Sequence, residues 1–275
     1  MTSTDEPTLY LVATPIGNLE DASARCLRIL RESVCIAAED TRQTGKLLAH
    51  FGIRTPMIPY HEHNKIVRIE ALLARLAEGD VALVSDAGSP GLNDPGYELV
   101  RAVLAAGFPV SPVPGPCAPI AALTASGLPT DSFVYLGYLP RRSARRRTFL
   151  EELAGEHRTL VALEAPHRLV ESLADIEAVL GNRPVAVARE LTKIHEEFVR
   201  GTVREAQDHF QEHPPLGEIT LVLGGAEAAE KWSEARVRAA LKRSGKRNMP
   251  AAQLAEEIAA QSGWNKRDVY KLIHK

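Results

Sequence analysis

The feature that most constrains the fold is a short apolar run that leads directly into a loop rich in glycine and proline. The run, Val81–Val84, is apolar throughout, which is typical of a strand buried on both faces of a parallel sheet. Residues 85–96 follow with the sequence SDAGSPGLNDPG, whose three glycines permit sharp turns and a close approach of a ligand to the backbone. Asp94 and Pro95 are predicted to be the N-cap and first residue of a helix. In open α/β sheets, small molecules bind at loops in this position.

Apolar runs and helical patterns alternate along the first half of the chain. Strands are predicted, with helices between them, at residues 9–13, 34–38, 57–60, 81–84 and 109–113. This alternation predicts a parallel sheet, and a break at residues 127–131 predicts the end of the first domain. Further strands are predicted at residues 133–138, 159–163, 185–189, 198–203 and 219–223, the last two in a more antiparallel edge. The predicted fold class is therefore α/β, with an N-terminal α/β domain at residues 1–127 and a C-terminal α/β domain at residues 128–228.

The last part of the chain differs from the rest in charge and in pattern. Residues 231–275 carry eleven Lys/Arg against four Asp/Glu, a net of +7, while the whole chain carries −2, so the first 230 residues carry −9. Ala259, Gly263 and Val269 have the spacing of a helix-turn-helix, in which small residues let two helices cross closely. We predict a basic helical module at residues 229–275. A polyanion would bind such a module, and a solvated basic surface is the alternative.

Composition narrows the class of protein. A chain of 275 residues, 45% of them hydrophobic, is long enough for two domains. No apolar run approaches the roughly 18 residues of a membrane span, and the first residues lack the apolar core of a signal peptide. Cys26, Cys35 and Cys117 have no CxxC spacing, which argues against a disulfide framework and a zinc site. These features predict a cytoplasmic protein with no membrane partner and no metal.

The loop after the first predicted strand argues against a dinucleotide site. Residues 14–18, TPIGN, hold one glycine where the GxGxxG fingerprint needs three. Glu39 and Asp40 do end the second predicted strand, where an acid that binds a ribose is expected. A nucleotide-containing cofactor of another kind therefore stays open.

A small ligand that carries charges of both signs would suit the remaining loops. The helix that begins within residues 114–118 offers free N–H groups to a carboxylate. Asp86 and the turn that reaches Ser89 offer a carboxylate and carbonyl groups to an amine or a sulfonium. S-adenosylmethionine has a carboxylate, an amine and a sulfonium. Alternatively, Asp86 is only a loop or capping residue.

Several further stretches follow one another in a recognisable order. They are VATPIGNLED (12–21), AAEDTR (37–42), HEHN (61–64), PVPGPCAPIAALTASGLPTD (112–131), EAPHRL (164–169) and VARELTKIHEEFVRG (187–201). Together with residues 85–96 and the C-terminal helices, they cover nearly the whole chain. The chain thereby resembles the ribosomal RNA small-subunit methyltransferase I family, a branch of the tetrapyrrole methylase superfamily.

The resemblance implies a fold, a cofactor and an activity. The fold is that of tetrapyrrole methylases, the class III methyltransferases, in which two α/β domains enclose S-adenosylmethionine and the chains pair as homodimers. The activity is 2′-O-methylation of a cytidine ribose in the decoding region of small-subunit (16S) ribosomal RNA. The family often has a tyrosine where this chain has Leu163. We predict cofactor contacts at Thr14, Pro15, Asp86, Ala87, Gly88, Ser89, Cys117, Ala118, Leu163 and Glu164.

Charged residues supply the candidates for catalysis and for RNA binding. Methyl transfer to a hydroxyl depends mainly on positioning, worth roughly 7–11 kcal/mol, with help in removing the proton. The candidates for that help are Glu39, Asp40, Glu190 and Lys193, each of which also fits a helix cap or a salt bridge. The candidates for phosphate contacts, placed in the first loop of the second domain, are Arg141, Arg142, Arg145, Arg146 and Arg147. A solvated charge run is the alternative for this cluster.

Three functions remain in competition. The first is methylation of small-subunit ribosomal RNA, either free or in the assembled small ribosomal subunit. The second is an S-adenosylmethionine-dependent methyltransferase that acts on a tetrapyrrole or another small molecule, against which the arginine cluster and the basic C-terminal module argue. The third is a non-enzymatic RNA-binding assembly protein whose α/β body is only a scaffold.

Overall fold

The first domain is built on a parallel sheet of five strands. The computed structural model describes residues 6–227, 232–244 and 249–274. The strands are β1 (Leu9–Val12), β2 (Cys35–Ala38), β3 (Met57–Pro59), β4 (Val81–Val84) and β5 (Val110–Val113), in the order β3-β2-β4-β1-β5. Every residue of β2 and β4 is buried, as expected for apolar runs in the middle of a parallel sheet.

Four helices cover this sheet and explain its burial: α1 (Ala24–Glu32), α2 (Thr41–His50), α3 (Lys65–Leu76) and α4 (Tyr97–Ala105). A fifth, α5 (Ala118–Ala125), follows β5 and packs against the second sheet. Side chains alternate between the two faces along a strand, and along β2 Ile36 packs in one apolar cluster and Cys35 in another. Ile29 of α1 belongs to the first cluster and Leu72 of α3 to the second. Helices therefore bury both faces of the sheet.

The second domain has a mixed sheet. Its strands are β6 (Phe133–Tyr138), β7 (Thr159–Glu164), β8 (Pro184–Arg189), β9 (Glu197–Thr202) and β10 (Ile219–Leu223), in the order β6-β7-β10-β8-β9. Within this second sheet, the β6/β7 pair is parallel and the other described pairs are antiparallel. The prediction that the last two strands, β9 and β10, pair in antiparallel fashion is confirmed, since each of them pairs antiparallel with β8. Their placement at an edge is wrong for β10, which is the central strand, and all five of its residues are buried.

The other helices are α6 (Ser143–Glu151), α7 (Leu169–Leu180), α8 (Val203–Glu212), α9 (Glu234–Ser244), α10 (Ala251–Ser262) and α11 (Lys266–Ile273). The sequence analysis missed α8, although its capping box, in which Thr202 and Glu205 satisfy each other's backbone N–H, is legible in the sequence. Ala122 and Leu123 of α5 pack with Val161 and Val222 of the second sheet. This helix therefore joins the two domains across an apolar contact.

The helix that follows the β4 loop begins later than predicted. Gly96, not Asp94, is the N-cap of α4, and the helix starts at Tyr97. Asp94 interacts instead with the Ser85 hydroxyl at the start of the same loop. A residue typical of a helix cap is thereby available to the cleft described below.

The C-terminal module has the predicted helix-turn-helix-like geometry. Gly263 ends α10 in a left-handed conformation with φ of 64°, and Asn265 caps α11 by accepting from the Arg267 N–H. Val269 is fully buried. The predicted boundary between the second domain and the module, at residues 228 and 229, lies outside the described residues. No helix in the described ranges is long and apolar enough to cross a membrane.

Candidate functional site in the interdomain cleft

A cleft with two chambers lies between the domains. The first chamber has a volume of about 370 Å³ and is lined by loops of both domains. The second chamber has a volume of about 530 Å³. Four residues line both chambers and so form the passage between them: Ile16, Asp86, Ala87 and Glu218. Both volumes lie within or near the usual range for small-molecule sites, which is about 300–1,000 Å³.

Backbone hydrogen bonds hold the loops after β1 and β4 together at this passage. The Thr14 N–H donates to the Gly88 carbonyl at 2.9 Å, and the Gly88 N–H donates to the Thr14 carbonyl at 3.0 Å. Gly88 has φ of 80°, a left-handed conformation that favours glycine. The Thr14 hydroxyl also donates to the Ser85 carbonyl at 3.4 Å. The two loops therefore form one rigid wall.

The structure brings the predicted cofactor residues to this cleft. Eight of them line the first chamber: Asp86, Ala87, Gly88, Ser89, Cys117, Ala118, Leu163 and Glu164. Thr14 and Pro15 line the second. The carboxylate of Glu164 is engaged inside the protein, where it accepts from Arg168 at 2.5 Å, Ser172 at 2.5 Å and the Ala165 N–H at 2.7 Å. Glu164 therefore fixes the loop after β7 and contributes no free charge to the chamber.

Sequence reasoning missed a pair of residues that ties the two domains together at the first chamber. The Tyr135 hydroxyl donates to the Asn93 side-chain oxygen at 2.6 Å. Asn93 adopts φ of 67°, and a Cβ at Gly137 would lie 2.8 Å from its side-chain nitrogen, so Gly137 is needed for the contact. Burial raises the pKa of Tyr135 to about 12, so the phenol stays a hydrogen-bond donor. The only signal in the sequence was the polar NDPG end of the β4 loop.

Five carboxylates line the first chamber, and two of them, Glu164 and Glu218, pair with Arg168 and Lys193. The other three are Glu39, Asp86 and Asp94. Burial raises the pKa of each of them, and the charge of Asp94 raises the pKa of Glu39 further. Asp86 accepts from the Asp40 N–H at 2.9 Å. Carboxylates that repel one another in a partly buried cleft are stabilised by a cationic ligand. At the same chamber, α5 begins at Ala118 without a side-chain cap. Its first backbone N–H groups can therefore bind an anionic group of a ligand.

The four catalytic candidates differ in their proton affinity. Hydrogen bonds from Arg42 lower the pKa of Asp40 to about 2, which makes it a weak base. Burial is the largest single influence and opposes the charge of Glu190 and of Lys193. Their mutual hydrogen bond and attraction, together with the contacts that Glu218 makes to both, outweigh it in sum, so the pKa of Glu190 is lowered and that of Lys193 is raised. Lys193 therefore stays protonated. Glu39 alone among the four is a carboxylate with a raised pKa.

A tightly built loop places Lys193 at the wall of the second chamber. Two of its non-glycine residues, Glu190 and Thr192, adopt left-handed φ angles of 50° and 65°. Glu190 accepts from the Lys193 ammonium at 2.8 Å and from the Glu218 N–H at 2.9 Å. A Cβ at Gly17 would lie 2.4 Å from Cγ of Lys193, so the loop after β1 packs directly against this one. Such backbone strain is concentrated at functional sites.

The arginine cluster lies largely on a helix and not in a loop, and this corrects one prediction. Arg146 has no exposed surface: its guanidinium pairs with Asp175 at 2.7 Å and with Glu171 at 3.1 Å. It faces α7 because residues at spacings of three and four, here Ser143, Arg146 and Arg147, share one face of α6, and all three contact Asp175. The predicted phosphate contact is therefore wrong for Arg146. Arg141, Arg142 and Arg145 are exposed to solvent.

Part of the positive charge of the C-terminal module is neutralised locally. Arg238 pairs with Glu234 at 2.7 Å on α9, and Lys266 pairs with Glu256 at 2.6 Å between α11 and α10. Ion pairs of this exposed kind are weak and screened by salt. The module keeps its net positive charge, but Arg238 and Lys266 already have acidic partners within it. Fewer of its cations are therefore free to bind a polyanion than the sequence alone indicates.

Comparison with known proteins places the chain among methyltransferases. The family model for tetrapyrrole (corrin/porphyrin) methylases matches residues 8–207. The chain is 46% identical to the ribosomal RNA small subunit methyltransferase I of Halalkalibacterium halodurans, over 98% of this chain and 96% of that protein. It is 47% identical to the protein of the same name from Synechocystis, over 96% of each.

Solved structures agree on the fold. Cobalt precorrin-4 methyltransferase superimposes with a TM-score of 0.61 at 17% identity, covering 82% of this chain and 97% of that one. A uroporphyrin-III C-methyltransferase of Thermus thermophilus, in complex with S-adenosylhomocysteine, superimposes with a TM-score of 0.55 at 24% identity, covering 79% and 97%. At this level of identity, the similarity concerns the arrangement of the two α/β domains.

Proposed function

The chain belongs to the tetrapyrrole methylase family, and within it to the ribosomal RNA small-subunit methyltransferases I, and from this premise we propose that it methylates the ribose 2′-oxygen of a cytidine in small-subunit ribosomal RNA. It is an S-adenosylmethionine-dependent methyltransferase. The observation that carries the proposal is the pair of chambers that meet at Asp86 and Ala87, since methyl transfer needs two ligand sites in contact.

The residues of the first chamber fit S-adenosylmethionine. Its ammonium and sulfonium are positive, and the chamber holds Glu39, Asp86 and Asp94, whose raised pKa values indicate unsatisfied negative charge. Its carboxylate suits the open N-terminus of α5 at Ala118. When bound, the cofactor supplies a methyl group activated by the positive sulfur.

The protein's own part in the reaction is positioning and proton removal. The second chamber is assigned to the acceptor nucleotide, so that its ribose oxygen reaches the passage at Asp86. Glu39 is the proposed base because it lines the cleft and burial raises its pKa. Lys193, held charged by Glu190, faces the second chamber and is suited to a phosphate or to the oxygen that loses its proton.

The function is tested with tritiated S-adenosylmethionine and three acceptors: assembled small subunits, naked small-subunit RNA and a uroporphyrinogen. We expect label in ribosomal RNA, resistant to alkaline hydrolysis because a 2′-O-methyl group blocks cleavage at that ribose. We expect the Glu39→Gln protein to bind the cofactor with lower affinity, because one attracting charge is lost, and to transfer the methyl group more slowly even when saturated with cofactor, by the 10²–10⁴-fold typical of a lost general base. Label in the uroporphyrinogen alone would favour the small-molecule function, and label in none of them would leave only the scaffold function.

Removing the Asp86 carboxylate is expected to weaken cofactor binding about tenfold. A charge-assisted hydrogen bond contributes about 1.5–3 kcal/mol, and the lower end applies because Asp86 is exposed at the cleft wall. Calorimetry with Asp86→Ala should show this loss for S-adenosylmethionine and a smaller one for S-adenosylhomocysteine, which lacks the positive sulfur. Asp131→Ala is the control, since it removes an exposed carboxylate outside the cleft. Equal affinity of the folded Asp86→Ala and wild-type proteins would exclude this role.

Cofactor affinity should also fall in acid. The pKa values of Glu39, Asp86 and Asp94 are raised, so these groups take up protons at a higher pH than ordinary carboxyl groups, and each protonation removes a charge that attracts the cation. We expect the affinity for S-adenosylmethionine to decrease as the pH falls from neutral towards the ordinary range of carboxyl pKa values, with the loss beginning above that range. The affinity for S-adenosylhomocysteine should change less.

We further propose a homodimer that forms through the faces of α3 and α4. These two helices pack against each other and expose four large apolar side chains between them: Val67 (81% of its surface), Tyr97 (65%), Ile66 (64%) and Leu104 (57%). Two-fold pairing of identical patches is the common way to cover such a surface. Light scattering should give twice the monomer mass of 30.0 kDa.

The dimer interface is tested by introducing a charge at its proposed centre. Val67→Glu should give the monomer mass, because an unpaired carboxylate would be buried between the two copies. Leu216→Glu, at a site in the second domain that is 76% exposed, should remain dimeric. A monomeric wild-type protein at micromolar concentration, or a dimeric Val67→Glu protein, would contradict the proposed interface.

We place the protein in the cytoplasm. Its cysteines, Cys26, Cys35 and Cys117, are all unpaired, as expected in a reducing compartment. Burial raises the pKa of Cys26 to about 11, so this thiol stays protonated and unreactive at neutral pH.

A further inference from the structure

One buried hydroxyl at the second chamber has no partner within the protein. Thr44, on the first turn of α2, has only 4% of its surface exposed. Among the described residues, no group lies within hydrogen-bonding distance and geometry of its Oγ1 atom. Thr44 nevertheless lines the second chamber, next to the passage residues Asp86 and Ala87.

Two threonines in the interior of other helices satisfy their hydroxyls internally. Thr124 in α5 donates to the Ile120 carbonyl at 2.9 Å, and Thr148 in α6 donates to the Ala144 carbonyl at 3.2 Å. Both use the carbonyl four residues earlier, the usual arrangement for threonine within a helix. The equivalent carbonyl for Thr44, that of Asp40, accepts only from the Thr44 N–H, at 3.0 Å. The Thr44 hydroxyl therefore does not form the bond to the carbonyl four residues earlier that Thr124 and Thr148 form.

An unpaired buried hydroxyl lowers the stability of the folded protein, so its presence at this position calls for an explanation. Leaving such a group without a partner destabilises a protein by about 1–3 kcal/mol, and valine would have nearly the same shape without that penalty. Thr44 Oγ1 itself has almost no accessible surface, so it reaches a ligand in the chamber by rotation of the side chain about χ1, which exchanges the places of the hydroxyl and the methyl group. The hydroxyl then gains the hydrogen bond that it lacks in the free protein. It acts both as donor and as acceptor, which suits the base edge or the ribose of a nucleotide.

We propose that Thr44 Oγ1 forms a hydrogen bond with the acceptor nucleotide in the second chamber and so helps to select and position it for methyl transfer. The inference rests on the proposed function, which assigns this chamber to the nucleotide. Lys193 stands at the wall of the same chamber, held by Glu190, so the site combines a charge with a neutral hydrogen-bonding group. A site built to hydrogen-bond its substrate discriminates strongly against analogues that leave the buried group unpaired.

The test is the substitution Thr44→Val, which removes the hydroxyl and keeps the shape. We expect kcat/KM for the RNA acceptor to fall about tenfold, mainly through KM, while the affinity for S-adenosylmethionine stays the same. The thermal midpoint of the free protein should be unchanged or higher, because the hydroxyl contributes no internal bond. Thr44→Ser, which keeps a hydroxyl, should restore most of the activity.

The control is Thr124→Val, which removes a helical hydroxyl bonded to its own backbone and should leave KM unchanged. Unaltered kinetics of Thr44→Val would overturn the inference. So would a loss of S-adenosylmethionine affinity with an unchanged KM for RNA, since it would assign Thr44 to the cofactor. A lower thermal midpoint would show an internal role for the hydroxyl. Absence of methylation by the wild-type protein would contradict the proposed function itself, and this is seen before any variant is compared.

Discussion

Replacing Asp175 by alanine is expected to lower the free energy of unfolding by about 3–5 kcal/mol. Asp175 is 1% exposed and accepts hydrogen bonds from Arg146, Arg147 and Ser143. Without this carboxylate, the fully buried guanidinium of Arg146 would keep only Glu171 as an ionic partner. Removing one member of a buried pair has a cost of this size because the remaining charge is left poorly compensated. Urea denaturation followed by circular dichroism measures the loss.

The control for this prediction is Glu171→Ala. Glu171 also contacts Arg146, at 3.1 Å, but its side chain is 60% exposed, so its loss should change stability by less than about 1 kcal/mol. Similar effects of the two substitutions would show that burial does not govern the network.

The pH dependence of stability offers a second readout. Burial alone would raise the pKa of Asp175, but hydrogen bonds from Arg147, Ser143 and Arg146 outweigh it, and the pKa is lowered. A carboxyl group with a lowered pKa stabilises the folded state above its unfolded pKa, near 3.9, and this contribution is lost as pH falls through the folded pKa. The difference in stability between wild type and Asp175→Ala should therefore shrink in strong acid.

The fold was predictable where one local pattern dominates. The runs of β2 and β4 are apolar at every position, and the structure buries all of them. The position of β10 was not predictable, because the order of strands depends on which partner β7 and β8 find, and the apolar sequence of β10 fits any buried position. The missed helix α8 had a legible capping box, but its short amphipathic pattern directly follows a strand.

The site was predictable in its loops and not in its chambers. The β4 loop was identified from its glycines and prolines, and it does line both chambers. The second chamber also needs Gln43 and Thr44 from α2 and Glu218 from a distant loop, a combination that depends on the packing of the two domains. Tyr135 reaches Asn93 only because the second domain sits over the β4 loop.

The arginine cluster shows why local charge does not define a surface. Five arginines in seven residues indicate a basic patch, but Arg141 and Arg142 precede α6, and the helix places Arg146 and Arg147 on the face that contacts Asp175. On that face of α6, the ion pair with Asp175 neutralises the charge of Arg146. The candidates for RNA contact are thereby reduced to Arg141, Arg142 and Arg145. Arg147 also pairs with Asp175, although about half of its side chain is exposed.

This division sharpens the prediction for RNA binding. The first 230 residues carry a net charge of −9, which repels RNA, so binding must depend on local groups of cations. Each phosphate neutralised by a cation contributes about −0.7 to −0.9 to the slope of log affinity against log salt. Replacing Arg141, Arg142 and Arg145 together by alanine is expected to flatten that slope by roughly 2–3.

A salt titration of binding to small subunits measures this effect, with calorimetry to show that S-adenosylmethionine affinity is unchanged. The matched control replaces three exposed arginines of the first domain, Arg28, Arg31 and Arg54, and makes the same change in net charge. If contact with phosphate matters, only the variant at residues 141, 142 and 145 should have a flatter slope, because general attraction would affect both variants alike. Coincident slopes for wild type and that variant, with methylation intact, would exclude these arginines from the RNA-binding surface and leave the C-terminal module as the main candidate for it.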